Sequence, residues 1–156
     1  MQIHTVHLDD FSSNDYHILG IHTPLENYRL AYLLNTHLQL RLERCTNDID
    51  FKNKDYEACF PLYEFIDCET DNSWFLIDNV YKTNIKSRTE GLFTESEAKV
   101  YLIPEKKRVD YFLKLEGGFT TDKANEINEV ISKIPQIMTS YYIETDTLKS
   151  KEFLIF

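Results

Sequence analysis

The chain has 156 residues, of which 17 are Lys or Arg and 26 are Asp or Glu, so its formal net charge at pH 7 is −9. A chain of this length is expected to form one domain over 1–156 and to bury roughly 70% of its unfolded surface without disulfides or metals. The acidic balance argues against a protein that coats nucleic acid, no run reaches the ~18 apolar residues of a membrane span, and the first residues show no secretory signal. The three cysteines include no Cys-x-x-Cys pair, which predicts reduced thiols in a cytoplasmic protein.

The negative charge is concentrated in the first half of the chain. Residues 1–78 contain 14 acidic and 5 basic residues, whereas residues 79–156 contain 12 of each. The excess of acidic residues is greatest in residues 45–78, which we call the acidic segment. It has nine acidic residues and only two basic ones, Lys52 and Lys54. Such asymmetry marks either an interaction surface or a solvated face. We favour the solvated face, because acids that alternate with aromatics are typical of the outer side of a half-buried sheet.

In the first half, alternating apolar residues predict several strands and one helix. The strands are predicted at 3–8, 16–22, 38–43, 59–67, 74–78 and 80–85, the last three arranged as a meander. Thr23 as N-cap and Pro24 in the first turn predict a helix over 24–38. Leucines at helical spacing give this helix an apolar stripe, which Tyr28 and Tyr32 widen, so we expect the helix to be well buried.

The second half predicts a hairpin and a second helix. Its strands are predicted at 100–103, 109–116, 137–145 and 152–156. The first two of these would form a β-hairpin around the basic turn 104–108. A capping-box pattern at 94–97 predicts no more than a turn of helix. Thr120 or Thr121 caps a helix over 121–134, which Pro135 ends.

This order of elements predicts an α+β fold. Strands occur in runs and helices are few, which favours a mostly antiparallel sheet of about six to eight strands with two helices, at 24–38 and 121–134, packed on one face. Acids and lysines are then expected on an open face or at the rim of the sheet.

Histidines and carboxylates near the start suggest an alternative function. Four of the five histidines lie in the first 22 residues, at His4, His7, His17 and His22. A metal-assisted enzyme would use Asp9 and Asp10 with His4 or His7. However, residues three apart on a strand point to opposite faces, and an Asp pair at a strand end is typical of a turn. We therefore assign no metal ligand and no cofactor, and expect His37 at the rim of the core.

Other chemistries find less support in the sequence. No nucleophile-elbow pattern, phosphate loop or dinucleotide fingerprint is present, so no catalytic residue is assigned and a non-enzymatic role is favoured. A third hypothesis is single-stranded RNA binding. Its basic residues would be Lys82, Lys86, Arg88 and 106–108, interleaved with Tyr81 and Tyr111 as stacking platforms. The acidity of the whole chain argues against it.

One stretch resembles a known family. Residues Ile103, Pro104, Glu105, Val109, Asp110 and Tyr111 match every fixed position of the motif that names the bacterial IPExxxVDY family. The resemblance implies a small cytosolic protein of unassigned activity and brings no catalytic residues. It also points to partners in ribonuclease III or acyl-carrier-protein systems.

The residues of the motif themselves predict a turn whose conformation they fix. Pro104 forces Ile103 into an extended conformation. Val109 and Tyr111 are expected on the core face, and Glu105 and Asp110 are expected to pair with Lys106 or Arg108. A fold-defining turn is the first interpretation and a partner-docking loop the second.

We therefore expect a non-enzymatic, cytoplasmic protein–protein interaction module, with no membrane partner. Its contact elements would be the acidic segment, the motif turn or an exposed sheet edge. The candidate partner-binding residues are Glu105, Lys106, Lys107, Arg108, Asp110, Asp48, Asp50 and Asp55.

Overall fold

A computed structural model of the chain describes residues 16–52, 54, 56–89 and 92–156. The helices that these residues form are α1 Asn27–Leu38 and α2 Thr121–Ser132. The strands are β1 Tyr16–His22, β2 Glu43–Arg44, β3 Ile49–Lys52, β4 Glu57–Phe60, β5 Leu62–Asp67, β6 Asn72–Asp78, β7 Val80–Thr89, β8 Leu92–Tyr101, β9 Tyr111–Glu116 and β10 Thr139–Ile143. Short 3-10 helices occur at Pro104–Lys106, Thr145–Thr147 and Lys151–Leu154. No helix in these described ranges is long and apolar enough to cross a membrane.

The main sheet is antiparallel, with six strands in the order β10-β1-β9-β6-β5-β2. Two separate hairpins, β3–β4 and β7–β8, accompany it. Strand β9 lies between β1 and β6, and its first five residues are all buried. The predicted α+β class with a mostly antiparallel sheet is thus confirmed.

Both helices pack on the same face of the sheet, as predicted. Leu30 and Leu34 of α1 and Ile127 of α2 belong to one buried cluster with alternate residues of the strands, such as Leu76 and Leu113. Burying such side chains contributes about 1.5–3 kcal/mol each relative to leaving them in water. This first core holds the helices on the sheet.

The other face of the sheet is covered, so the expectation of an open polar face is wrong. The intervening strand residues, including Phe75 and Phe112, belong to a second buried cluster. Phe60 of β4, Val100 of β8 and Leu154 of the last 3-10 helix complete it. Because this second core is made by the hairpins and the end of the chain, β9 is buried on both sides.

The first helix begins later than predicted. Helix α1 starts at Asn27 with Glu26 as N-cap. The Thr23 hydroxyl instead accepts a hydrogen bond from the Leu25 amide and donates one to the carbonyl of Gln136. Thr23 therefore ties the loop before α1 to the segment that follows α2.

Three strand predictions need correction in the first half. Gln39 ends α1 in a left-handed conformation, with φ of 56°. Asn35 then bonds both backbone groups of Leu42, so only Glu43 of the predicted 38–43 strand pairs, as the first residue of β2. The predicted single strand 59–67 is interrupted at Pro61, and its residues belong to β4 and β5; β3 was not predicted. The meander is confirmed for β5 and β6, but β7 pairs with β8 and not with β6.

In the second half, the predicted hairpin around 104–108 is wrong. Strand β8 pairs with β7, whereas β9 pairs with β1 and β6, and the intervening turn contains a 3-10 helix. The capping-box residues 94–97 lie in β8, where pairing with β7 outweighs the local helical signal. The end of the chain, predicted as a strand, forms the 3-10 helix Lys151–Leu154.

Other predictions of the second half are confirmed. Helix α2 has Thr120 as N-cap, and its hydroxyl accepts a hydrogen bond from the Lys123 amide. Strand β10 lies within the predicted 137–145. In the first half, β1 has the predicted bounds. The predicted strand at 3–8 lies outside the described residues.

Candidate functional site

The motif residues form a turn that a buried asparagine holds from inside. Asn79, fully buried, donates from its side-chain amide to the carbonyls of Lys106 (2.9 Å) and Val109 (2.8 Å). Its side-chain oxygen accepts from the Ile103 amide at 2.9 Å. The segment 103–110, which we call the motif turn, is therefore built around one side chain of the preceding β6–β7 connection.

The fixed motif residues make intramolecular contacts. Ile103 and Val109 are fully buried, and Ile103 is extended as predicted. One Asp110 oxygen accepts from the Thr23 amide at 2.9 Å, and the Tyr111 hydroxyl donates to the Leu25 carbonyl at 2.6 Å. The last two motif residues thus position the loop 23–26 that precedes α1.

Glu105 does not pair with the basic residues of its own turn, contrary to the prediction. One of its carboxylate oxygens accepts from the backbone amides of Lys149 (2.7 Å) and Ser150 (2.8 Å), and the other accepts from the Ser150 hydroxyl at 3.0 Å. Although partial burial opposes it, these hydrogen bonds lower the pKa of Glu105. Lys107 and Arg108 are exposed and Lys106 is half-buried.

The motif turn borders a polar cleft of about 530 Å³, which we call the lysine cleft. A carboxylate set comes from the loop before α1, the end of β6 and the end of the motif turn: Glu26, Asp78 and Asp110, beside Tyr111. A lysine set comes from the β7–β8 hairpin and the motif turn: Lys82, Lys99 and Lys107, beside Tyr101. The structure therefore brings two of the predicted partner-binding residues, Lys107 and Asp110, into one concave site.

Asp78 is the most perturbed carboxyl group of the cleft. Its Oδ2 accepts from the Asn27 side-chain amide at 3.2 Å, and Asn27 in turn accepts from the Tyr63 hydroxyl. Its Oδ1 is buried and has no hydrogen-bond partner among the described residues. Burial raises the pKa of Asp78 to about 7, against the opposing effects of Asn27 and Arg44. Asp78 therefore changes protonation near neutrality.

The lysines of the cleft are placed unfavourably against one another. Lys82 and Lys99 are directly opposite in the β7–β8 ladder, so their side chains leave the same face. Like charges at directly opposite positions destabilise a strand pair. Glu97 lies 3.8 Å from Lys82, but both side chains are more than 60% exposed, so this pair is weak. Lys107 lies over the Tyr101 ring, 5.9 Å from its centroid.

A second concave surface lies on α1, where the tyrosines were expected to be buried. That expectation is wrong, because Tyr28 is 60% and Tyr32 69% exposed. They line a groove of about 550 Å³, the tyrosine groove, formed by Leu25, Tyr28, Arg29, Tyr32, Leu33 and Gln136. Arg29 is the one charged side chain in this lining.

The acidic segment is spread over several elements. Asp48 forms an ion pair with Arg44, and Glu57 lies 3.6 Å from Lys52. Asp50 is opposite Cys59 in the β3–β4 hairpin, where a hydrogen bond to it raises the pKa of that thiol. The remaining candidate, Asp55, lies outside the described residues. The three cysteines are free thiols.

Two of the described histidines, His17 and His22, have structural partners. His17 Nδ1 lies 2.8 Å from the Tyr142 hydroxyl and its Nε2 lies 3.0 Å from the Phe119 carbonyl oxygen. His22 stacks on Tyr141. His37 is exposed and not at the core rim. Within the described ranges no group of three or more His, Cys, Asp and Glu side chains is placed to hold a metal. The predicted metal candidates His4, His7, Asp9 and Asp10 lie outside these ranges.

In comparisons with known proteins, no family model, no curated protein and no solved structure matches this chain. The resemblance to the IPExxxVDY family accordingly stays a prediction.

Sequence reasoning missed Asp78 and Asn79 as site residues. Asp78 was counted only as one acid of the acidic segment, and Asn79 was not singled out. The adjacent Asp78-Asn79 pair between two predicted strands was the available signal, because polar residues at strand ends often mark a binding edge. Which way each side chain points depends on the β6–β9 pairing, which is not local.

Proposed function

We propose that the protein is a non-enzymatic interaction module that binds another protein through the tyrosine groove of α1. The observation that carries the proposal is the exposure of Tyr28 and Tyr32, one helical turn apart on the same face of the helix. Two large aromatic side chains with such exposure are atypical of a surface that only faces water.

The residue types of the groove match those of interface hot spots. Tyr and Arg are enriched at such positions because they combine apolar area with hydrogen-bonding groups. Leu25 and Leu33 add apolar side chains to the same lining. A rigid helix presents these groups, which keeps the entropic cost of binding low.

The charge of the lining defines the chemistry of the partner. Because Arg29 is its one charged side chain, the groove suits an apolar segment that also carries a carboxylate. A helix with apolar residues at i and i+3 or i+4 and a nearby Asp or Glu meets both requirements.

The motif turn and the acidic segment support the proposal less well. Glu105 and Asp110 are already bonded within the chain, and Asp48 is paired with Arg44. Lys107 and Arg108 of the motif turn, together with Asp50, are exposed and belong to the second choice of surface.

The test is a set of three proteins used as bait under identical conditions. Tyr28→Ala/Tyr32→Ala removes the groove aromatics, and Asp48→Lys/Asp50→Lys reverses charge in the acidic segment. We expect wild type and the charge-reversed protein to retain the same stoichiometric partner. We expect the tyrosine variant to weaken it at least about thirtyfold, as for loss of ~2 kcal/mol at a hot spot.

Three results contradict the proposal. The absence of any stoichiometric partner argues against an interaction module. Loss of the partner only in the charge-reversed protein assigns the surface to the acidic segment. A wild-type dimer that the tyrosine substitutions convert to monomer, measured by sedimentation, makes a second copy of the chain the occupant.

The other hypotheses are tested separately. The metal-assisted alternative, with Asp9/Asp10 and His4 or His7, predicts divalent-metal binding by calorimetry that Asp9→Asn/Asp10→Asn abolishes. For single-stranded RNA binding, the stacking platform lacks support, since Tyr111 is buried and Tyr81 packs against Phe60. The cytoplasmic location and partners from ribonuclease III or acyl-carrier-protein systems are also proposals. Purified proteins from those two systems are the first candidate partners to test for binding.

A further inference from the structure

We infer that the lysine cleft is a binding site for a small hydroxylated anion, namely a polyol that carries a phosphate or carboxylate group. This site shares Leu25 with the tyrosine groove but includes neither Tyr28 nor Tyr32, and it does not rest on the proposed protein partner. Two geometric observations support it: an opposed lysine pair and a buried carboxyl oxygen without a partner.

The opposed lysines select the charge of the ligand. Lys82 and Lys99 are cross-strand partners on the face of the hairpin that also presents Val80 and Tyr101 to the cleft. Both lysines are exposed, so their mutual repulsion is modest, and Glu97 lies 3.8 Å from Lys82. An anion between the two lysines contacts both positive charges, so this face of the hairpin favours an anionic ligand. Lys107, held over Tyr101, adds a third positive charge from the motif turn.

The carboxyl group of Asp78 selects for hydrogen-bonding groups on the same ligand. Its Oδ1 is buried and unpartnered among the described residues, while Oδ2 is already bonded to Asn27. A buried polar atom without a partner is unfavourable. Because Asp78 lines the cleft, a rotation of its carboxyl group on binding lets a ligand hydroxyl satisfy this oxygen, whichever way the Asp78 proton is placed. Burial that keeps this carboxyl group partly neutral near pH 7 also reduces its repulsion of an anion.

The remaining carboxylates, Glu26 and Asp110, reduce the positive potential of the cleft, and the three lysines offset them. Asp110 is held by the Thr23 amide and fixes the loop that lines the cleft. Glu26 is exposed at its margin. The volume of about 530 Å³ lies within the ~300–1,000 Å³ typical of small-molecule sites.

Four probe molecules distinguish the contribution of the anionic group to binding from that of the hydroxyl groups. Glycerol 3-phosphate and glycerate carry both an anionic group and hydroxyls, inorganic phosphate carries only the anion, and glycerol carries only hydroxyls. Each is titrated at millimolar concentration into isotope-labelled wild-type protein, and amide chemical shifts are followed. We expect saturable shifts from at least one hydroxylated anion, centred on 78–82, 99–101 and 107–111. Inorganic phosphate is expected to bind at least about tenfold more weakly, and glycerol to cause no saturable change.

Comparing glycerol 3-phosphate with glycerate identifies the preferred anionic group, because the probe that binds more tightly carries it. Lys82→Ala/Lys99→Ala is expected to weaken that probe at least about tenfold. Lys133→Ala, at an exposed lysine just after α2, is the matched control and is expected to leave it unchanged.

The inference is overturned by any of three results. Neither hydroxylated anion produces saturable shifts; the shifts lie outside the cleft; or the lysine double variant binds as wild type does. Shift mapping on wild-type protein keeps the test valid even where a variant is poorly folded. The tyrosine-groove substitutions leave the cleft intact, so failure here and failure of the proposed protein partner are distinguishable.

Discussion

The ammonium group of Lys114 lies 4.4 Å from the centroid of the Phe156 ring, the last residue of the chain. Lys114 occupies the central strand β9 and is only 1% exposed. The rings of Tyr16 and Phe75 flank the same ammonium at 5.0 and 5.4 Å, and Glu116 forms an ion pair with it. A lysine in the middle of the sheet thus holds the end of the chain against the second core.

This arrangement predicts that Lys114 is replaced better by a long apolar residue than by a short one. Lys114→Ala leaves a cavity and removes the partner of Glu116, and is expected to cost ~3 kcal/mol of unfolding free energy. Lys114→Met keeps the volume and avoids burying a charge, so it is expected within ~1 kcal/mol of wild type. Urea denaturation measures both. Equal destabilisation by the two variants would show that the charge, and not the packing, is what stabilises this site.

Substitution of the buried Asn79 is predicted to lower the free energy of unfolding strongly. Asn79→Ala leaves the carbonyls of Lys106 and Val109 and the amide of Ile103 without their partner, at an expected cost of ~3 kcal/mol or more. The matched control is Asn125→Ala, at an exposed site on α2, where alanine is the better helix former and no loss is expected. Guanidinium unfolding of the two proteins compares them. A small effect at Asn79 would mean that the motif turn holds its conformation without the clamp.

The pKa of Asp78 predicts a specific pH dependence of stability. Its folded-state pKa of about 7 lies above the unfolded value of 3.8, so the native state binds more protons than the unfolded state between these values. Stability contributed by the neutral form is complete below about pH 4 and is lost as pH rises through about 7. The charged and titratable groups that act on Asp78 come from the surrounding elements: Glu26, Arg44, Asp48, Tyr63 and Tyr111.

Asp78→Asn removes this titration and keeps an acceptor for Asn27. We expect the stability of the variant relative to wild type to increase between about pH 4 and pH 8, by ~2–4 kcal/mol in total. Chemical denaturation of both proteins at several pH values in this range tests it. A constant difference across the range would show that Asp78 titrates at its ordinary pKa.

The sequence predicted best those elements whose signals are local. Helix α2 combines a Thr120 cap, a regular apolar stripe and Pro135, and all three act within one segment. The alternation in 16–22 likewise marks β1 correctly. The errors come from segments whose partners are distant. Residues 94–97 have a helical cap pattern but pair with β7, and 109–116 alternates although both of its faces are buried.

The site was harder to predict than the fold. The motif was found because its letters are contiguous, but its role depends on Asn79, more than twenty residues earlier. The lysine cleft combines the loop before α1, the end of β6, the β7–β8 hairpin and the motif turn, which only the strand order brings together. No periodicity in one sequence reports such a meeting of elements.

Gly117 is predicted to tolerate no side chain, whereas its neighbour Gly118 does. Gly117 has φ of +105°, and a Cβ there would lie 2.5 Å from the carbonyl oxygen of Asp71 and 2.8 Å from the side-chain oxygen of Asn72. Because the first of these is backbone, relief requires the β5–β6 turn to move. Gly117→Ala is expected to cost ~2 kcal/mol or more. At Gly118 the nearest atom to an added Cβ is 3.5 Å away, an ordinary contact, so Gly118→Ala is expected to change stability by less than ~1 kcal/mol. Thermal unfolding of the two variants side by side decides the matter: equal melting temperatures would contradict the close packing of β9 against this turn.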